Sequence, residues 1–430
     1  MERIKAARGT QDIYSADVKI WQFIEDTAIN HFSQAAFEEI RTPIFEHTNL
    51  FSRAVGESSD IVNKEMYTFK DRSDRSLTLR PEGTAGVVRA FIENSLDRSA
   101  KPQRFWYRGP MFRYERPQTG RFRQFNQIGM EAFGLSAPNL DLEVIGLAYS
   151  FLQKLGLKDL TLYINSLANE ASREDYKTKL VSFLEQHQDN LCEDCQRRIK
   201  QNPLRVLDCK VPEDQKIYEN APSIKDSFDE ESLEIWEAMK QGLNALGIDF
   251  VEDTKLVRGL DYYSHCVFEF KTEDKGLGQQ STVLAGGRYD KLVEQLGGTQ
   301  VPAVGWALGM ERLAYLIEQN REETVSKKKH VYIICDEFME SLKLASKLRS
   351  NLDGFTVEFD FDSVKVAKQI NKALKRKADY ALFYLADERE SGTFKLKDFS
   401  EETEISISSF DELLNKLLSQ AKISKEALNV

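Results

Sequence analysis

Between Lys101 and Arg123 stand seven basic residues, Lys101, Arg104, Arg108, Arg113, Arg116, Arg121 and Arg123, against one acid, Glu115. The chain as a whole carries a formal charge of −10. The patch is therefore a local field, and local fields are what an approaching ligand feels. Arginine stays charged and presents a planar fork that matches phosphate oxygens. The segment reads as two strands, 104–115 and 122–131, joined by the polar loop ERPQTGR with Pro117 and Gly120 as turn formers. Such a hairpin folds Arg113 toward Arg121 and Arg123 and makes a phosphate clamp. The alternative is a solvated hairpin, but surface arginines usually meet scattered acids.

Directly after the loop, Phe125, Gln127, Gly129 and Glu131 alternate on one strand face. Gln127 and Glu131 suit a cationic or hydrogen-bonding group; a buried, internally satisfied pair is the alternative. RPEGT (80–84) sets Glu82 and Thr84 at a helix start, where Glu82 serves the helix dipole or holds a ligand amine. RGLDYY (258–263) joins Arg258 to a tight turn and two tyrosines, whose hydroxyls give orientation in a pocket or fill a core. GMER (309–312) opens a helix after an apolar strand and offers Arg312. The paired glycines of AGGRYDKL (285–292) let backbone approach a ligand closely. Neither a dinucleotide fingerprint nor a P-loop accompanies them. Cys192-x2-Cys195, Cys209 and His187 invite a zinc reading, but a second Cys pair is missing, and free thiols in a helical segment are expected instead, with no metal ligands.

These groups need scaffolds. At 430 residues the chain calls for two or three domains, and 41% hydrophobic content with 10% aromatics supports their cores. Residues 17–35 carry Val18, Trp21, Ile24, Ala28 and Phe32 at helical spacing. EEIRTPIFE is strand-like and broken by Pro43, SLTLR (76–80) alternates, and PEGTAGVVRAFIENSL starts a helix. A helix over about 140–155 leads into the strand LTLYIN. From about 170 to 246 the texture turns helical, charged and strand-poor, as an insertion would. Strand signals return with KLVRGLDYYSHCVFEFK and STVLAGGRYDKL, and VPAVGWALGMERLAYLIEQ gives a strand running into a helix. The charged run 321–330 is a linker, after which a compact module alternates as βαβαββα. No run approaches the ~20 apolar residues of a membrane span. The N-terminus lacks an apolar signal core, and five sparse cysteines suit a reducing compartment. A soluble, cytoplasmic protein without membrane association is expected.

The pieces also occur in a telling order. The Pro43 segment EIRTPIFE, then FRYERPQTGRFRQF, then GMERL resemble motifs one, two and three of class II aminoacyl-tRNA synthetases. LVRGLDYY and GGRYDKL, lying between the second and third, resemble the signature segments of the histidyl-tRNA synthetase family, and PEGT and the Gln127/Glu131 pair match it too. The resemblance runs from RGTQDI (8–13) to the last module. It implies an α+β fold: an antiparallel sheet flanked by helices over residues 1–325, the helical insertion within it, an α/β anticodon-binding domain over 330–418, and a tail, 419–430. It implies a ligase that joins L-histidine to tRNA(His) through a histidyl-adenylate, using ATP with Mg²⁺, and a homodimer with the Pro43 segment at its interface.

The resemblance also implies roles. Glu82, Gly83, Thr84 and Gln127 would hold the α-amino end of histidine. Glu131 and Tyr263 would hydrogen-bond the imidazole, with Tyr262 as pocket wall. Arg113 would bind the ATP α-phosphate, and Arg258 would approach that phosphate and the substrate carboxylate from the other side; these two arginines are the catalytic pair. Phe125 would stack on adenine with Arg312 on the opposite face, and Arg121 would steady the outer phosphates. Arg116 and Gln118 would meet the acceptor end of the tRNA, and Lys372 and Lys375 its anticodon stem. Asn126, Ala285 and Cys266 stand where relatives often carry other residues. A histidine-sensing regulatory relative shares the fold but lacks an intact RGLDYY-type segment and the last module, both present here. A stand-alone tRNA-binding protein would have no use for the Glu131/Tyr263 pocket.

Overall fold

The computed structural model describes residues 3–426 apart from 57–58, 118–119, 261, 275–276, 278–280, 320–327 and 363–364, with only the backbone of 421–426. The chain divides into two compact units, Met1–Glu323 and Thr324–Val430. The linker segment 321–330 lies largely outside the described residues.

The first unit is built on an eight-stranded sheet. Its strands lie in the order Glu38–Glu39, Gln103–Phe112, Gln124–Phe133, Ala303–Gly309, Thr282–Arg288, Ser264–Thr272, Leu160–Ser166, Phe250–Glu252. The two outermost strands pair in parallel and every other pair is antiparallel. The arginine hairpin supplies the second and third strands. It ends at Phe112 and resumes at Gln124, so Arg113 sits one residue beyond the strand, where its N–H still donates to the Arg123 carbonyl at 2.9 Å.

Strand alternation decides which side chains see the site. Ile128, Met130 and Ala132 point into one core. There the helix Ala16–Gln34 buries Ile20, Ile24, Ala28 and Phe32, and Phe32 meets Trp106, Phe151 and Trp306 at centroid distances of 5.5, 4.9 and 5.7 Å. Helices Asn139–Lys154 and Met310–Gln319 complete that layer. The opposite face carries Phe125, Gln127, Gly129 and Glu131 and is covered by helix Thr84–Glu93, whose Phe91 stacks on Phe133 at 4.2 Å. A fully buried ion pair, Arg288 with Asp141, ties the sheet to helix Asn139–Lys154.

Pro43 divides its segment between two sheets. Glu38–Glu39 joins the main sheet, while Phe45–His47 pairs with Ser76–Leu79 in a three-stranded sheet. The third strand there, Tyr67–Lys70, is only four residues long, and the sequence reading did not include it. The 170–246 stretch is helical, with helices Glu170–Glu185, Glu193–Gln201, Pro212–Tyr218 and Glu230–Ala245.

The second unit holds a five-stranded sheet in the order Phe355–Phe359, Lys329–Ile334, Tyr380–Phe383, Phe394–Asp398, Thr403–Ile407. Helices Phe338–Arg349, Val366–Lys375, Ala386–Ser391 and Phe410–Glu426 accompany it. The expected βαβαββα pattern lacks the short helix Ala386–Ser391 and the last strand. Six residues closed by Gly392 at φ 69° are too few to show a helical period. The chain is an α+β protein with a separate C-terminal α/β unit.

Candidate active site

A polar cavity of about 270 Å³ opens on the site-bearing face of the main sheet. Its lining gathers segments remote in sequence: Glu82 and Thr84, Arg113 and Glu115, Arg121, Phe125 and Gln127, Arg258, Tyr262 and Tyr263, Glu311 and Arg312.

One end is cationic. Arg113 lies with its guanidinium 5.2 Å from the Phe125 ring centroid, and its Nε donates to the Pro81 carbonyl at 2.8 Å. Burial pushes its pKa below the ordinary arginine value, against the pull of Glu65 and Glu82. Arg121 pairs with Glu115, the one acid of the hairpin, which also lies 3.9 Å from Arg113. Arg312 donates to the Thr282 carbonyl at 2.8 Å. Burial, and then the charges of Arg121 and Arg113, push its pKa down to about 10. Cations that depress one another this way favour an anion between them.

Arg258 reaches the cavity from the RGLDYY loop. It pairs with Glu269, which also accepts from the Thr282 hydroxyl at 2.9 Å. Burial opposes ionisation of Glu269, yet the Arg258 charge wins and holds the carboxylate below its usual range. The Arg258 Nε is buried and, among the described residues, has no hydrogen-bond partner.

The other end is acid and phenol. Glu82 caps helix Thr84–Glu93: its two carboxylate oxygens accept from the Thr84 and Ala85 amides at 2.6 and 2.9 Å. The helix-serving role is thus in place, and the same side chain lines the cavity. Between them Gly83 has no room for a side chain, because a Cβ there would stand 2.2 Å from the Tyr107 ring. Glu131 lies fully buried beneath the cavity, accepting from the Thr84 hydroxyl at 2.7 Å and from the Tyr289 hydroxyl. Burial drives its pKa up to about 8. The space for its carboxylate exists because residue 305 is glycine; a Cβ there would stand 1.9 Å from the Glu131 Oε2. Gln127 offers a buried Oε1 with no partner among the described residues. Tyr262 packs against Tyr263 and Tyr289 at 4.6 and 5.5 Å. Asn126 turns away, its amide N–H donating to Glu311 at 2.9 Å, and burial raises the Glu311 pKa to about 7.

Ten of the sequence-derived residues therefore meet at one cavity, while Glu131 and Gly83 support it from behind. Arg116 is exposed on the hairpin loop, and Gln118 lies outside the described residues. Lys372 and Lys375 belong to the second unit, where Lys372 pairs with the buried Asp360 at 2.6 Å. The AGGRYDKL glycines lie close against neighbouring backbone. A Cβ on Gly286 would stand 2.2 Å from the Gly305 carbonyl oxygen, and one on Gly287 2.7 Å from that of Cys266. Close strand packing requires them. Sequence reasoning passed over Tyr107, Tyr289, Glu269 and Glu311, buried groups that touch the site only through the fold.

The cavity presents no cysteine or serine nucleophile among its described lining residues. Its geometry suits the positioning of a polyanion beside a small ligand with an ammonium and a polar ring. A sequence model of histidyl-tRNA synthetase matches residues 9–313, and one of an anticodon binding domain matches 324–420. The chain is 47% identical over 421 residues to a histidine–tRNA ligase of Acaryochloris marina, covering 97% of this chain and 96% of that one. It is 46% identical to the Microcystis aeruginosa histidine–tRNA ligase, covering 99% of both chains. Its structure is similar to that of apo S. aureus histidyl-tRNA synthetase, with a TM-score of 0.81 and 36% identity, covering 96% of this chain and all of that one.

Proposed function

The chain belongs to the histidyl-tRNA synthetase family and joins L-histidine to tRNA(His); we propose that it does so in the cavity described above, with the side chains in the following roles. The observation that carries this reading is the pairing of a crowded arginine end with an end lined by Glu82, Thr84 and Gln127, backed by the buried Glu131, in one cavity.

ATP lies at the cationic end. Arg113 takes the α-phosphate, with Arg258 opposite it, and Arg121 meets the outer phosphates. Phe125 and Arg312 hold the adenine between them. Beyond burial, Arg121 and Arg113 depress Arg312 and Arg113 depresses Arg121, and this supports the reading, because a triphosphate relieves such crowding. Mg²⁺ bound with the nucleotide offsets charge on the outer phosphates, and Glu115 and Glu311 are carboxylates of the lining that suit its neighbourhood.

Histidine lies at the acid end. Gln127 Oε1, the Thr84 hydroxyl oxygen and Glu82 receive the α-ammonium, with the Gly83 backbone beside them. The Thr84 hydroxyl already donates to Glu131, which leaves its lone pairs free to accept. Glu131 and Tyr263 meet the two imidazole nitrogens, and Tyr262 walls the ring. Each Glu131 oxygen keeps a lone pair beyond its bond to Thr84 or Tyr289, so a ring N–H finds an acceptor there.

The reaction then needs no protein nucleophile. The histidine carboxylate attacks the α-phosphorus in line, pyrophosphate leaves, and Arg113 and Arg258 neutralise the charge that builds on the phosphate oxygens. The 3′-terminal ribose hydroxyl of the tRNA next attacks the adenylate carbonyl. Arg116, exposed on the hairpin loop, meets the acceptor end. In the second unit, Arg349, Lys372, Lys375 and Arg376, interleaved with Glu358, Asp360 and Asp362, line a charged hollow beside Phe361, which is 75% exposed. Charge with an exposed aromatic suits single-stranded RNA, and this supports contact with the anticodon stem and loop.

The protein acts as a homodimer. Ile44, Phe45 and Phe69 stand exposed on the three-stranded sheet, an apolar surface that suits a second copy. It works in the cytoplasm, a setting that suits its five free cysteines. The test is histidine-dependent exchange between ATP and pyrophosphate, followed by charging of tRNA(His). Exchange that proceeds equally well with another amino acid would refute the assignment of the acid end.

A further inference from the structure

The helical insertion contains a cluster that histidine activation does not use. Cys192 precedes helix Glu193–Gln201, Cys195 lies in its first turn, Cys209 follows a short 3₁₀ segment, and Asp214 lies in helix Pro212–Tyr218. One ligand atom from each of the four lies within 4.8 Å of every other. Cys195 and Asp214 are almost wholly buried, at 0 and 1% exposure. The fourth group absent from the cysteine spacing is thus supplied by a carboxylate. His187, the upstream candidate, packs on Phe183 at 4.9 Å instead.

We propose that Cys192, Cys195, Cys209 and Asp214 bind one structural zinc ion that pins the insertion together.

The distances suit the ion. Zinc–sulfur bonds of about 2.3 Å in a tetrahedron put two sulfurs about 3.8 Å apart, and a sulfur about 3.5 Å from a carboxylate oxygen. Cys192 Sγ and Cys209 Sγ are 3.8 Å apart, and Cys209 Sγ is 3.3 Å from Asp214 Oδ2. The sulfur pair is far beyond a disulfide bond of about 2.05 Å.

The surroundings suit it too. The Val211 N–H donates to Cys209 Sγ at 3.5 Å, and the Cys192 N–H to Asp214 Oδ1 at 3.1 Å. Such outer bonds orient metal ligands and offset negative charge. The Tyr218 hydroxyl adds a third, to Asp214 Oδ2 at 3.3 Å. Among the described residues no lysine or arginine forms an ion pair with Asp214. A buried carboxylate facing three thiols lacks a counter-charge, and a divalent cation provides it. Three sulfurs and one oxygen in a closed set suit zinc better than magnesium or calcium, and leave no coordination position for catalysis. The thiols that bind lose their protons to solvent, so no other reactant is needed.

The test uses the full chain with any affinity tag removed. Elemental analysis of protein reconstituted with zinc under reducing conditions should find about one ion per chain. A mercurial thiol reagent should release it, and Cys195→Ser and Asp214→Asn should each lower occupancy at least tenfold. Cobalt loaded in its place should give intense thiolate charge-transfer absorption and the visible bands of a tetrahedral ion. Should Cys195→Ser fail to fold, the half-buried Cys192→Ser and the cobalt spectrum of the unaltered chain still decide. Less than a tenth of an ion per chain, a weak octahedral cobalt spectrum, or a Cys192–Cys209 disulfide in the reduced preparation would overturn the proposal.

Discussion

Replacing Glu131 by glutamine keeps the side chain's shape and removes its ionisation. The native carboxyl, ordinarily near 4.5, is driven to about 8 by complete burial. The folded protein thus binds this proton more tightly than the unfolded chain does. The group's contribution to stability is full below about pH 4.5 and is lost as pH rises through 8. The rise is worth about 5 kcal/mol at ~1.4 kcal/mol per tenfold, which is a ceiling because water and neighbours relax around the anion. Glutamine stays neutral at every pH, at a cost of about 1 kcal/mol where its amide replaces an oxygen facing Thr84 or Tyr289. The ligand-free Glu131→Gln protein should therefore match the parent near pH 5 and exceed it by about 2 to 4 kcal/mol at pH 9. Urea unfolding at pH 5, 7 and 9 measures this. The same variant should raise the Michaelis constant for histidine at least tenfold in pyrophosphate exchange and leave that for ATP nearly unchanged. A stability difference that does not grow with pH would refute the burial argument. Equal losses for histidine and ATP would refute the ligand assignment.

Other expectations follow from the same geometry. Arg258→Ala should slow pyrophosphate exchange about 100-fold or more and also destabilise, since Glu269 keeps only Lys271 and Thr282; adding Glu269→Gln should restore the melting temperature without restoring the rate. Asp141→Ala should cost about 3 kcal/mol in urea unfolding, because it leaves Arg288, at 0% exposure, with Asp290 as its remaining acid partner. Lys375→Glu, on an exposed position, should raise the Michaelis constant for tRNA and flatten its salt dependence while exchange stays normal. Arg116→Ala should slow transfer to tRNA in single-turnover charging and spare activation.

How much of this was legible depended on how local the cause was. The stripe Ile24, Ala28, Phe32 and the alternation through Gln127 and Glu131 express periods of a few residues, so helix and strand could be read directly. The arginines stood out because seven cations with one acid is a local excess. Their convergence with Arg258 and Arg312 came from the order of motifs, a resemblance that no periodicity contains. What stayed hidden was set by distant partners. Tyr289 acquires its role only when its strand brings it to Glu131, 158 residues away. Asp214 is one acid among many until two helices carry it to three cysteines. The strand contact that leaves Gly286 no room for a side chain also stayed hidden, because the neighbouring carbonyl is invisible in one dimension.

The strand Gln124–Phe133 also acts as a ruler. Phe125 and Glu131 share a face six residues apart, or about 20 Å of backbone, with Gln127 between them. On the proposed assignment, the adenine is read at one mark and the imidazole at the other, and the reacting carboxylate and phosphate fall in the interval. Both substrates are thus measured against one rigid edge, fixed by antiparallel neighbours on its two sides. A one-residue insertion between 125 and 131 would shift no charge and remove no side chain. It would turn one end of the scale to the opposite face, so that the enzyme could be calibrated for ATP or for histidine but never for both at once.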